Sequence, residues 1–192
     1  AVVLGPDNGA SHVSAVVARI APQHEFPLHT HPHSEDCFFA LSGAGEVFGP
    51  RERFSISEPA GVWIPAGVPH GLAAGSSGML EIGFQSPPDP TAVPFATRSG
   101  ADNSPRGIMT ESLLVNATST RAPEWMPVFP RRVGWQYLDP HYCVLDAAQE
   151  LRAHADGYEL LVVVARGAIE LREVVVRVGA VGAGQLRSGE CL

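Results

Sequence analysis

The stretch that decides the fold runs from His29 to Gly43 and reads HTHPHSEDCFFALSG. Two histidines that lie two apart on a strand point to the same face, so His29 and His31 can present their imidazoles to one ion. A carboxylate follows at Glu35 or Asp36. After it comes a run rich in strand-forming residues, which ends in a glycine.

A second stretch, residues 65–71, reads PAGVPHG. Pro65 and Gly67 are expected to shape a turn that delivers His70 to the two earlier histidines. Three neutral imidazoles and one carboxylate suit a divalent transition metal and leave coordination positions open for a substrate or dioxygen. The two stretches together therefore predict a metal site.

These stretches resemble the two motifs of the cupin superfamily, and in particular its conserved barrel of the cupin_2 type, in what is expected to be a two-cupin protein with a degenerate second half. The first motif has HxH, a glutamate and a closing glycine; the second has Pro-x-Gly-x-x-His. Counting back from Gly43 puts Asp36 at the usual glutamate. The second motif matches in full, although Ala74 replaces an asparagine that is common four residues after the histidine. The resemblance covers about residues 10 to 98 and implies metal ligation by His29, His31, Asp36 and His70.

The identity of the carboxylate ligand is left open by the sequence. Asp36 is in register with the family motif, but it is one methylene shorter than glutamate. Glu35 has the full length but is one residue out of register, and adjacent strand residues face opposite sides of a sheet. The alternation of side chains along the strand does not decide between Glu35 and Asp36, because residues 37–41 are apolar on both faces. Asp36 is favoured, and a site of three histidines without a carboxylate is a further alternative.

The resemblance also implies an all-β double-stranded β-helix, the jelly-roll barrel of the cupins. Its metal is expected to be Fe, Mn, Ni, Co or Zn, and its partner a small molecule, in a homodimer. The favoured function is a metal-dependent enzyme, a dioxygenase or an enzyme of related oxygen or carboxylate chemistry; decarboxylases and isomerases are other activities of the superfamily. The alternative function is a non-catalytic module that binds or senses a small ligand.

An enzyme needs an acid or base within reach of its substrate, whereas a binding module does not. The sequence offers three weak candidates for this group, namely His24, His33 and Glu81. Their positions in the fold therefore bear on which function applies.

Short apolar runs punctuated by glycine, proline and serine predict a many-stranded sandwich or barrel from residue 12 to residue 84. The predicted strands are HVSAVVARI from His12, CFFAL from Cys37, GEVF from Gly45, FSIS from Phe54, GVWI from Gly61 and MLEIGF from Met79.

We predict three divisions of the chain: a metal-binding barrel over 1–98, a linker or covering segment over 99–132, and a partial cupin-like region over 133–192. The middle segment has one helix-like stretch, TESLLVNA, which starts at Thr110. The last region resembles a weakened second copy of the first. Arg152 replaces the first histidine, while His154 and Glu159 keep the second histidine and the glutamate. With one histidine left, this copy is not expected to bind metal tightly.

Composition excludes several classes of function. The chain has 192 residues, a net charge of −7 and no lysine, so Schiff-base lysines and P-loops are excluded and nucleic acid is an unexpected partner. The three cysteines are odd in number and far apart, which indicates a reduced, cytoplasmic setting. No apolar stretch approaches about 20 residues, so no membrane span is expected. The sequence opens without a charged leader and an apolar run, so no signal peptide is expected.

Overall fold

The computed structural model describes residues 2–89, 93–94, 107–112, 124–129, 137–152, 162–164, 167–171 and 184–187. The chain divides into two compact units, Ala1–Ala153 and His154–Leu192. The described residues form strands and one 3₁₀ turn at Pro6–Asn8, so the prediction of an all-β fold is confirmed. None of the described residues belongs to a helix long and apolar enough to cross a membrane.

The first unit contains eleven of the described strands. They are β1 (Val2–Leu4), β2 (Ser14–Ile20), β3 (Glu25–Thr30), β4 (Glu35–Phe48), β5 (Arg53–Ser57), β6 (Ala60–Ile64), β7 (His70–Ser86), β8 (Val93–Pro94), β9 (Met109–Ser112), β10 (Met126–Pro127) and β11 (His141–Tyr142). Nine of these form one antiparallel sheet in the order β1-β2-β7-β4-β6-β9, in which β3 pairs with β7 and β8, and β5 pairs with β4. The strands β10 and β11 form a separate pair.

The sheet is organised around the two longest strands, β4 and β7, which pair along most of their lengths. The predicted strands CFFAL and GEVF are both parts of β4, because the residues between them bend the strand without ending it. Register shifts lie between Ala40 and Ser42 and between Gly43 and Gly45. Such irregularities bend a strand and increase its twist, which allows one sheet to curl around a core. Of the two histidines expected on one strand, His29 lies in β3 and His31 lies just after its end. The strand β7 begins at His70, earlier than the predicted strand from Met79.

Side chains alternate along β4 between the barrel interior and an outer layer. Phe38 and Ala40 belong to the interior core, together with residues of β6 and β7. Cys37 and Phe39 face the other way and pack with Trp63. The outer layer also includes residues of the later segments, namely Met109, Val128, Phe129, Leu138 and Tyr142.

The first unit therefore extends beyond the barrel predicted over residues 1–98. β9 lies within the segment predicted as a linker or cover, and it pairs with β6. Thr110 lies in this strand, so the prediction of a helix starting there is wrong for residues 110–112. Pairing with the edge of β6 overrides a local periodicity that is weak to begin with. The remaining residues of TESLLVNA lie outside the described residues.

In the second unit, β12 (Ala168–Leu171) pairs antiparallel with β13 (Gly184–Arg187). His154 and Glu159 lie outside the described residues. The partial cupin-like region over 133–192 stays a prediction.

Replacement of Gly43 is expected to destabilise the barrel strongly. Gly43 has a φ of +84°, and a Cβ built there would overlap the carbonyl oxygen of Gly78 in the paired strand. Gly67 has a similar φ of +77°, but a Cβ there would meet only the carbonyl oxygen of Pro32, at 4.0 Å. We therefore expect Gly67→Ala to cost about 1 kcal/mol in backbone strain, and Gly43→Ala to cost about 3 kcal/mol or more. Urea denaturation of both variants measures the difference, and equal costs would contradict it.

Candidate metal centre

The three predicted histidines lie close together. His29 in β3 is the direct cross-strand partner of His70 at the start of β7, and His31 follows β3. Their ring centroids are 4.4 Å apart for His29 and His70, 5.0 Å for His29 and His31, and 5.5 Å for His31 and His70. One nitrogen from each ring lies within 4.8 Å of the others, and among the described residues these three form a group that could hold an ion.

The turn in residues 65–68 holds the two motifs together. The backbone N–H of Gly67 donates to the carbonyl oxygen of His31 at 2.8 Å. The N–H of Val68 donates to the carbonyl oxygen of Pro65 at 3.1 Å, which closes the turn. Because the turn is anchored directly on His31, the chain that leaves it brings His70 to the cluster.

Backbone carbonyls fix the ring tautomers of two histidines. Nδ1 of His29 lies 2.8 Å from the carbonyl oxygen of Pro27, and Nδ1 of His70 lies 2.9 Å from that of Val68. A carbonyl oxygen only accepts, so each Nδ1 must carry the proton and donate. The lone pair of each ring is then on Nε2, which is the arrangement of a histidine prepared to bind a metal.

Two acceptor atoms face each other inside this cluster. Nε2 of His70 is buried and has no hydrogen-bond donor among the described residues, yet Oδ2 of Asp36 lies 3.3 Å from it. Oδ2 of Asp36 is also 3.9 Å from Nε2 of His31. A carboxylate oxygen and an imidazole lone pair repel each other at this distance unless a cation or a proton lies nearby. The donor set therefore fits a divalent metal ion.

The structure brings Asp36 to the histidines and directs Glu35 away from them. Glu35 is 3% exposed, and its Oε2 accepts hydrogen bonds from the backbone N–H groups of Tyr137 and Leu138 at 2.8 and 3.0 Å. The two carboxylates are neighbours on one strand, so they face opposite sides of the sheet. The partners of Glu35 are about a hundred residues away along the chain, and no local pattern could indicate them.

Burial lowers the pKa of two of the histidines. For His29, desolvation is the main cause, followed by the charge of His70. For His31, desolvation again dominates and is partly opposed by Asp36, which raises the pKa. Both rings therefore keep a neutral, metal-competent form at pH values somewhat below the usual histidine pKa of 6.5.

The three candidate acid–base residues differ in their surroundings. His24 is exposed, and its Nδ1 lies 3.0 Å from the carbonyl oxygen of Pro22. His33 is also exposed. Glu81 in β7 is 9% exposed and lies opposite Ala40, which faces the barrel interior. Desolvation, with a smaller contribution from Asp36, raises the pKa of Glu81 to about 8.

One polar residue beside the histidines was not singled out from the sequence. Gln85 in β7 is the cross-strand partner of Asp36, and its Nε2 lies 2.9 Å from Nε2 of His31. It belongs to no motif. A period-two count along β7 places it on the same face as Glu81, and this is the only sequence pattern that could have indicated it.

The buried carboxyl of Glu81 should make the stability of the metal-free protein depend on pH. Its pKa is about 8 when folded and near the ordinary 4.5 when unfolded, so the folded state binds the extra proton between these values. Stability then falls as pH rises from 4.5 to 8. We expect Glu81→Gln to be more stable than the parent protein above pH 8, by on the order of a few kcal/mol, and to lose that advantage near pH 4.5.

Thermal denaturation across this pH range tests the expectation. The control is Glu25→Gln, which removes an exposed carboxylate and should shift stability little at any pH. A difference between Glu81→Gln and the parent that does not change with pH would contradict the assignment.

Comparison with known proteins gives one family match. The model for the cupin domain matches residues 16–82, a range that contains His29, His31, Asp36 and His70. No curated protein matches the chain.

Several solved structures are similar at low identity. KdgF from Halomonas sp. is 21% identical, with a TM-score of 0.43 over 47% of this chain and 78% of that one. A conserved protein with a double-stranded β-helix domain from Klebsiella pneumoniae is 21% identical, with a TM-score of 0.44 over 50% and 83%. The polyketide cyclase RemF from Streptomyces resistomycificus is 19% identical, with a TM-score of 0.44 over 51% and 70%.

The family match includes both motifs, all of β3 to β6 and most of β2 and β7. The observed antiparallel barrel is the fold that the resemblance implied. Residues 16–82 of this chain are therefore a cupin domain.

Proposed function

We propose that the cupin domain is a metal-dependent enzyme that acts on a small organic molecule. His29, His31, His70 and Asp36 would hold one divalent transition metal ion. The observation that supports this most directly is the contact between Oδ2 of Asp36 and Nε2 of His70, two acceptor atoms 3.3 Å apart in a buried site. A cation between them would turn this repulsion into attraction.

The donor set also bears on the class of metal and reaction. Imidazole and carboxylate ligands suit Fe, Mn, Ni, Co or Zn, and these ligands alone do not choose among them. When bound, such an ion would supply a Lewis acid for a substrate oxygen or a centre for dioxygen chemistry. Sites of imidazoles with one carboxylate and open positions are typical of iron oxygenases, so we favour a dioxygenase or related oxygen or carboxylate chemistry.

The burial and the raised pKa of Glu81 favour an enzyme over a non-catalytic binding module. It lies inside the barrel, and its raised pKa of about 8 lets it hold a proton at neutral pH. A protonated carboxyl in an apolar cavity can give a proton to a substrate and take one back, as a general acid–base group requires. His24 and His33 are exposed, so Glu81 is the candidate we assign to this role. The predicted homodimer and cytoplasmic location stay predictions.

Metal analysis of matched variants tests the ligand set. We expect about one equivalent of metal in the parent protein and in Glu35→Gln, because Glu35 bonds to backbone groups outside the site. His31→Ala should lose the metal, and Asp36→Asn should bind it at least tenfold more weakly. Elemental analysis gives the stoichiometry, and circular dichroism shows that each variant is folded.

The adjacent pair Glu35→Gln and Asp36→Asn is a matched comparison, since each variant removes one negative charge. Full metal content in His31→Ala would overturn the proposed site. Metal loss in Glu35→Gln, with retention in Asp36→Asn, would exchange the roles of the two carboxylates.

Measurement of substrate turnover distinguishes the proposed enzyme from the alternative of a non-catalytic binding module. The metal-loaded protein is screened against small carboxylic acids and phenols for oxygen uptake and product formation. For any compound turned over, we expect Glu81→Gln to bind the metal normally and to lose at least about a hundredfold in rate. Undiminished turnover would remove Glu81 from the mechanism. Binding of compounds without turnover by the parent protein would favour the ligand-binding function.

A further inference from the structure

The carboxamide of Gln85 lies directly against the histidine cluster. Its Nε2 is 2.9 Å from Nε2 of His31 and 3.4 Å from Nδ1 of the same ring. Gln85 is half-buried, and its cross-strand partner on β4 is Asp36. Directly opposed residues of an antiparallel pair project to the same face, so both side chains extend into the site.

Two of the distances in this group are close to the spacing of neighbouring ligands around one ion. With metal–ligand bonds of about 2.1 Å, neighbouring ligand atoms lie about 3.0 Å apart in an octahedral site and about 3.4 Å apart in a tetrahedral one. The Gln85–His31 distance is 2.9 Å, and the Asp36–His70 distance is 3.3 Å. The end of the Gln85 side chain is thus as close to His31 as a fellow ligand would be.

The hydrogen bond between Gln85 and His31 cannot survive metal binding in its present form. The amide N–H of Gln85 donates to a ring nitrogen of His31, which requires a lone pair on that nitrogen. An ion bound to Nε2 of His31 would use this lone pair, and the amide N–H would then point towards a cation. A half-turn of the carboxamide exchanges its two ends within the same space and puts Oε1 in that position.

We propose that Gln85 is an oxygen ligand of the metal, through Oε1, in addition to the four residues of the proposed site. This inference rests on the proposed function, because it needs a metal at the histidines. It implies five protein ligands, so an octahedral ion would keep one open position for the substrate. Because the amide of Gln85 is neutral, the ligand set would still carry only the single negative charge of Asp36.

Cobalt binding to three proteins tests the proposal without any substrate. The parent protein, Gln85→Leu and Gln85→Glu are titrated with Co²⁺ against a chelator of known affinity, and their visible absorption spectra are recorded. Leucine keeps the approximate size of glutamine but has no oxygen, whereas glutamate restores an oxygen at the same chain length. Circular dichroism and thermal denaturation of the metal-free variants establish that they are folded.

We expect Gln85→Leu to bind Co²⁺ at least tenfold more weakly and to show stronger visible bands, since cobalt spectra intensify as the coordination number falls. Gln85→Glu should bind at least as tightly as the parent. Unchanged or tighter binding by Gln85→Leu, with an unchanged spectrum, would overturn the proposal and leave the four-residue site intact. A parent protein that binds no Co²⁺ would overturn both.

Discussion

The pairing of β4 with β7 is the constraint on which the rest of the structure depends. These two strands run through the centre of the sheet, and their register determines which side chains meet inside the barrel. Asp36 is opposite Gln85, and Ala40 is opposite Glu81. A slip of one residue would turn Asp36 outward and Glu35 inward. The register of one ladder therefore selects the polar groups of the site.

The site concentrates polar groups that are costly to bury. His31 and His70 are 5% and 4% exposed, and Glu81 is 9% exposed. Without compensation, burial of such groups disfavours their charged forms, which is why the pKa of His31 is lowered and that of Glu81 is raised. The protein supplies partial compensation through the backbone carbonyls that orient His29 and His70. A metal ion would supply the rest of the compensation for burying these groups. Sites that bind a ligand typically leave part of this cost uncompensated until the ligand is bound.

Much of the site could be predicted from the sequence, because its histidines belong to two short motifs with fixed spacing. Which of the two carboxylates, Glu35 or Asp36, faces the histidines could not be predicted from the sequence. Residues 37–41 are apolar on both faces, and the structure shows why: Val128 and Phe129 cover the outer face of β4, so both of its faces are buried. Val128 and Phe129 are distant in sequence, so no pattern in the residues next to Asp36 could indicate that they cover β4. The sequence at Thr110 predicts a helix where the structure has a strand for the same reason, since the partner strand β6 lies far away in sequence.

The two carboxylates at Glu35 and Asp36 are covalent neighbours that serve opposite sides of one sheet. Glu35 ties the backbone at Tyr137 and Leu138 to the outside of the barrel, while Asp36 faces the histidines within. A single peptide bond thus separates a structural tether from the proposed metal shell. Exchanging the two residues would keep the composition and net charge of the chain unchanged. It would nevertheless place the shorter side chain against Tyr137 and Leu138 and the longer one against the histidines. The two residues have similar chemistry, but their order along the chain determines which contact each one makes.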